Sequence, residues 1–117
     1  MIRPELLTAY SAELQRGYSN LARGELACAF HCFERAHILG QRSTRLHVRA
    51  HLAMLKVGWL RRDKREIRGQ LSRIVAALLF SRVWVPDGNP GGANVSALKR
   101  MPIPEDLQSI LTRAVKR

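Results

Sequence analysis

Apolar residues recur at intervals of three and four along most of the chain, the period of an amphipathic helix. Leu7, Tyr10, Leu14, Tyr18 and Leu21 carry the first run, which opens at Pro4 and breaks at Arg23-Gly24. Proline is tolerated there because its missing N–H would have no partner in a first turn. Leu26, Ala29, Phe30, Phe33 and Ala36 carry a second run, ended by Gly40, a residue suited to a left-handed C-cap. Ser43 or Thr44 can cap a third helix and Asp63 a fourth, the latter carried inward by Ile67, Leu71, Ile74, Val75 and Leu78. The expected helices therefore cover about 4–22, 25–39, 44–61 and 64–81.

The pattern changes after Ser81. "VWVPDGNPGGANVS" (83–96) is rich in Gly, Pro and Asn and cannot continue a helix, so a loop is expected over 83–101. "MPIPEDLQSILTRAVKR" (101–117) reads as a short final helix, about 104–115, with Pro104, Glu105 and Asp106 in its first turn. No segment alternates with period two. The expectation is one all-α domain over 1–117: a four-helix arrangement of two hairpins, a Gly/Pro-rich loop and a C-terminal helix. The hairpins resemble tetratricopeptide-type helix pairs. Gly24, Ala29, Phe33 and Ala36 reproduce the small–small–large–small spacing that lets two helices approach closely. In the second pair Gly69 and Ala76 echo Ala29 and Ala36, but Arg73 stands where a large apolar residue belongs.

Composition adds limits. A chain of 117 residues is long enough for one unstapled core. No apolar run approaches the ~20 residues needed to span a bilayer. "MIRPELLTAYSAELQ" has no apolar stretch of signal-peptide length, so a cytoplasmic location is expected, with Cys28 and Cys32 as reduced thiols. The charge is the outlier. Twenty Lys and Arg stand against nine Asp and Glu, giving a net +11. Such a surplus raises the prospect of an anionic partner, nucleic acid first. Only "RRDKREIRGQLSR" (61–73) is a cluster, interrupted by Asp63 and Glu66, and Arg62 can pair with Glu66 along a helix. Solvated helix faces explain most of this charge.

The candidate chemistry lies in "FERAHILGQRSTRLHVRAH" (33–51). On a helix Glu34 and His37 lie within about 60° of each other, and His47 and His51 within about 40°. Arg45, Arg49 and Lys56 mark the outer face of the third helix, so His47, His51, Met54 and Gly58 face inward. If the second and third helices form an antiparallel hairpin, His37 sits level with His47, and Glu34 level with Ala50 and His51. Glu34, His37, His47 and His51 then make a plausible shell for zinc, iron, copper or manganese, whose ligands include imidazole and carboxylate. Glu13, on the border of the first helix's apolar face, could add a ligand or base. Two other readings stay open: an internal hydrogen-bonded network, with Glu34 bonded to a histidine, or a solvated helical surface. His31 lies off this face, near the surface.

Gly88, Asn89, Gly91, Gly92 and Asn94 form a loop that can present backbone N–H groups to an anion, cover the bundle ends or wall the histidine pocket. It lacks the spacing of a P-loop, and no catalytic triad is visible.

Taken together, "FERAHILGQ", "HVRAHLAML" with "GWLRRD", "GNPGGANVS" and "MPIPEDL" resemble the bacterial domain-of-unknown-function family 3703, over nearly the whole chain. The resemblance implies that Glu34, His37, His47, His51 and the glycine loop form one feature. That family's loop usually reads GNTGGANVS; with Pro90 in place of the threonine, this chain offers no hydroxyl there. The family carries no established activity. The expectation is a small helical protein whose inward Glu/His site binds a divalent transition metal or small ligand. The alternative is a non-enzymatic basic adaptor for nucleic acid or protein.

Overall fold

The computed structural model describes residues 2–80 and 84–116. Five helices follow one another: α1 (Pro4–Ala22), α2 (Leu26–Gly40), α3 (Thr44–Leu60), α4 (Lys64–Phe80) and α5 (Glu105–Lys116). No strand occurs among the described residues. The expected end of the fourth helix at 81 and the start of the loop at 83 lie outside them.

The helix starts follow the sequence closely. Ser43 Oγ accepts from the Leu46 N–H, and Asp63 Oδ1 accepts from the Glu66 N–H at 3.0 Å, each satisfying a donor that the first turn leaves open. Gly40 behaves differently from expectation. It remains helical, and its role is contact: a Cβ there would stand 2.7 Å from Leu46 Cβ and 2.9 Å from the Tyr10 ring. α1, α2 and α3 meet at this point, where the Tyr10 hydroxyl donates to the Leu46 carbonyl at 2.7 Å.

α1 packs on α2, α2 on α3 and α3 on α4, with α5 closing over α1 and α2. Tyr10, Phe33, Leu46, Met54, Val57 and Leu107 are the fully buried apolar centre. A network of charge ties α1, α2 and α5 together: Arg35 donates to Glu13 at 3.0 Å and bonds Asp106, while Arg16 pairs with Glu13 at 2.6 Å. The hydrogen bond to the Asp106 carboxylate strengthens the hold of Arg35 on its proton, and the Arg35 guanidinium in turn depresses the Asp106 carboxyl.

α4 corrects the sequence reading. Its buried residues are Gln70 and Ala77, while Leu71, Val75 and Leu78 are exposed. The apolar arc of α4 is broad: its edge at Gln70 and Ala77 is buried, Ile67 and Ile74 are half-buried, and the side bearing Leu71, Val75 and Leu78 is exposed. Arg62 does not pair with Glu66. It sits outside the helix with φ 56°, and Glu66 turns inward to other partners.

Candidate metal centre

His37 comes from the last turn of α2; His47 and His51 stand one turn apart on α3. All three are buried, and their candidate ligand nitrogens lie within 4.8 Å of one another. The ring centroids are 4.6–4.8 Å apart. Across the α2–α3 turn, Nε2 of His37 and Nε2 of His47 approach to 3.0 Å.

Burial governs their charge. It drives the His47 imidazole down to about 4 and, with help from the neighbouring His47, the His51 imidazole down to about 3. His37 falls well below the ordinary value through burial and then its two histidine neighbours. At neutral pH the three are uncharged imidazoles carrying lone pairs, the protonation state that metal ligation requires.

One tautomer is set by chemistry. His51 Nδ1 lies 2.6 Å from Gln70 Oε1, while Gln70 Nε2 donates to Glu66 Oε2 at 2.6 Å and to the Gly91 carbonyl at 2.9 Å. Reversing the amide would point its oxygen at a carboxylate and a carbonyl, two acceptors, so the nitrogen must face them. His51 Nδ1 then carries the proton and donates it to Gln70, leaving Nε2 with a lone pair. The Ala93 N–H also donates to Glu66 Oε2 at 3.0 Å, which holds the carboxylate in place behind the amide.

Gln70 and Glu66 were not singled out as site residues in the sequence. The available signal was a polar Gln70 seven residues before Ala77 on one helical stripe, the spacing of a shared face.

Glu34 stands apart from the histidines. Its carboxylate faces exposed His31 at 3.7 Å, and burial raises its pKa. The cause is azimuth. Phe33, Ala36 and Gly40 lie on one side of His37 around α2, and Glu34 lies about 60° to the other. Its angular closeness to His37 therefore leads away from the core. Glu13, expected at the border of the apolar face of α1, is buried and is held by Arg16 and Arg35.

The glycine loop walls the site. Gly91 has φ 91°, and a Cβ there would stand 2.8 Å from the His37 ring, so only glycine allows this approach. Gly88, Asn89 and Gly92 are buried, and Asn94 is exposed. Asn89 fastens the loop to itself, donating to the Ser96 and Lys99 carbonyls at 2.7 and 2.8 Å and accepting from the Gly91 N–H at 2.9 Å. The N–H groups of residues 89, 91, 93 and 95 all have internal acceptors. With these donors engaged and Gly91 against the His37 ring, the loop serves as a wall of the histidine site.

A model of a family described as proteins of unknown function, DUF3703, matches residues 4–111. The chain belongs to this family. No curated protein and no solved structure matches it significantly. The family thus supplies membership without an activity, and the chemistry rests on the histidines. Among the described residues no helix is long and apolar enough to cross a membrane.

Proposed function

We propose that the protein binds a divalent transition metal through His37, His47 and His51. Three imidazoles from two helices make the donor set of open, chemically active sites, in which three protein ligands leave a position for water or substrate. Zinc, iron, copper and manganese all accept such ligands, with copper and zinc favoured by affinity over manganese. A bound ion would supply Lewis acidity at that open position. The chain's own part is to present neutral nitrogens, fix their orientation and exclude bulk water.

The observation that carries this reading is the chain His51–Gln70–Glu66. Metal-bound histidines characteristically donate their second N–H to an outer partner that fixes tautomer and ring orientation. Gln70 does this for His51 and is itself pinned by Glu66 and Gly91. A hydrogen-bonded network alone accounts for the His37–His47 contact, one Nε2 donating to the other, and for the His51–Gln70 bond. It does not require the third imidazole to face the other two. Nδ1 of His37 and Nδ1 of His47 are both buried without a hydrogen-bond partner. Of the three imidazoles His51 has the side-chain outer partner, so Gln70 is the residue on which the reading is best tested.

Elemental analysis of protein purified without a histidine tag tests the reading. About one equivalent of a transition metal is expected, and it should vanish in the His47→Ala, His51→Ala double variant. Equal metal content in wild type and variant would contradict the assignment.

A further inference from the structure

A cavity of about 300 Å³ adjoins the three histidines. Its other walls are mainly apolar, formed by Ala77, Phe80, Trp84, Val85, Pro86 and Leu98. One cation, Arg73, also lines it. This is the residue that stands where the α4 repeat pattern calls for a large apolar side chain, and the metal reading gives it no role.

Arg73 is held rather than mobile. Its Nη1 donates to the Gly69 carbonyl at 3.1 Å and its Nη2 to the Val95 carbonyl at 2.8 Å, bridging α4 and the loop. Nε is buried and has no hydrogen-bond partner. Among the described residues no carboxylate lies within ion-pairing distance of the guanidinium. The nearest acid acting on it, Glu66, already accepts from Gln70 and Ala93. Arg73 is close enough to the histidines to disfavour charge on both His37 and His51.

The charges then decide the ligand. Three neutral imidazoles bring no negative charge to a divalent ion. Beside Arg73 the loaded site would hold three positive charges against the single carboxylate of Glu66. Concentrated charge of one sign in a partly buried site calls for a counter-ion. The remaining walls offer almost no polar partners, so a ligand with several charged ends would leave some unsolvated. A single anionic end with an apolar body fits both constraints, and ~300 Å³ is the small end of the range for ligand pockets.

We propose that the cavity binds a small monocarboxylate, its head group between Arg73 and the histidine-bound metal and its apolar body against Phe80, Trp84 and Leu98. The proposal rests on the metal reading. It assigns Arg73 as the residue that selects an anion, and the α4–loop cleft as the selector for an apolar tail.

Calorimetric titration of zinc-loaded protein with hexanoate, hexanol and acetate tests it, with zinc content measured on the same samples. Hexanoate should bind saturably, and more tightly than either acetate or hexanol. Arg73→Gln, with zinc retained, should weaken hexanoate about tenfold or more and leave hexanol unchanged, since it removes a charge-assisted contact. Arg73 also braces the loop, so Ala76→Phe provides an independent arm. Ala76 is an exposed cavity-lining residue, and a phenyl ring there should exclude hexanoate while acetate still binds. Zinc retained without saturable hexanoate binding overturns this proposal and leaves the metal site standing. Zinc retained with hexanoate binding indifferent to both variants overturns it as well. Failure to take up zinc, or any of iron, copper and manganese, overturns both.

Discussion

His37 and His47, ten residues apart, meet across the α2–α3 turn with their Nε2 atoms 3.0 Å apart. Tetrahedral zinc with Zn–N bonds near 2.05 Å places neighbouring nitrogens about 3.3 Å apart. That pair is thus near ligand spacing, and His51, oriented by Gln70, is the third member of the shell. The residues that steer His51 are accordingly the most informative to change.

Gln70→Leu removes the acceptor of the His51 Nδ1 proton and the donor to Glu66. Loss of an outer-shell partner typically weakens metal binding about 10–100-fold. Unpairing buried groups should also cost about 1–3 kcal/mol of stability. Competition with a chelator of known affinity reads the first effect, and urea denaturation of metal-free protein reads the second. Unaltered affinity would mean that His51 is not a ligand.

Acid should destabilise the metal-free protein through the same histidines. Their folded pKa values are depressed, to about 4 for His47 and about 3 for His51, against 6.5 for the ordinary group. Below that ordinary value the unfolded chain binds more protons than the folded one, so stability falls as pH falls. The stability is complete above pH 6.5 and is lost progressively as pH drops through the folded values. Melting temperature measured between pH 7.5 and 5 should decline, and less steeply in the His47→Ala, His51→Ala variant.

The helix architecture was legible in the sequence because five periodic runs are separated by strong breakers, and because Ser43 and Asp63 are good caps. The level match of His37 with His47 was legible too, since a short turn fixes the hairpin register. Which face of α4 turns inward was not. Periodicity reports that a face is apolar, and the apolar arc of α4 is broad; packing against α3 and the loop buried its edge at Gln70 and Ala77. Glu34 misled for a related reason, because angular distance from His37 carries no sign until the core side of α2 is known. Gly40 invited a cap by residue type, whereas Tyr10 and Leu46 required its missing side chain. The Gln70–Glu66 support joins α3, α4 and the loop; the spacing of Gln70 and Ala77 hints at a shared face, but which partners that face meets is set by tertiary packing.

Gly91→Ala should damage both the fold and the site. A Cβ would face the His37 ring at 2.8 Å from a backbone with φ 91°. A destabilisation above about 1 kcal/mol is expected from the backbone conformation alone. Displacement of His37 should weaken metal binding in parallel, as calorimetric titration would show. Full stability in the variant would refute the close packing of the loop on His37.

The basic cluster separates the alternative adaptor function from the metal site. Arg61, Arg62, Lys64, Arg65 and Arg68 are all exposed. Replacing them with Gln should leave melting and metal content unchanged, with stability altered by less than about 0.5 kcal/mol. If the surface serves nucleic acid, wild-type affinity should fall steeply with salt and the variant should lose it. Unchanged electrophoretic mobility of DNA and RNA at low salt and excess protein would dismiss that function.

Titration of metal-free, untagged protein with zinc, iron(II), copper and manganese tests the central claim most directly. The expected result is uptake of one equivalent of at least one of them at micromolar concentration, with a rise in melting temperature that a chelator reverses. At a thousandfold excess over Kd the bound ion should add roughly 4 kcal/mol of stability. The His47→Ala, His51→Ala variant should show neither uptake nor stabilisation. Failure of all four metals to bind the wild type at that concentration, or equal binding by the variant, would contradict a metal centre at His37, His47 and His51.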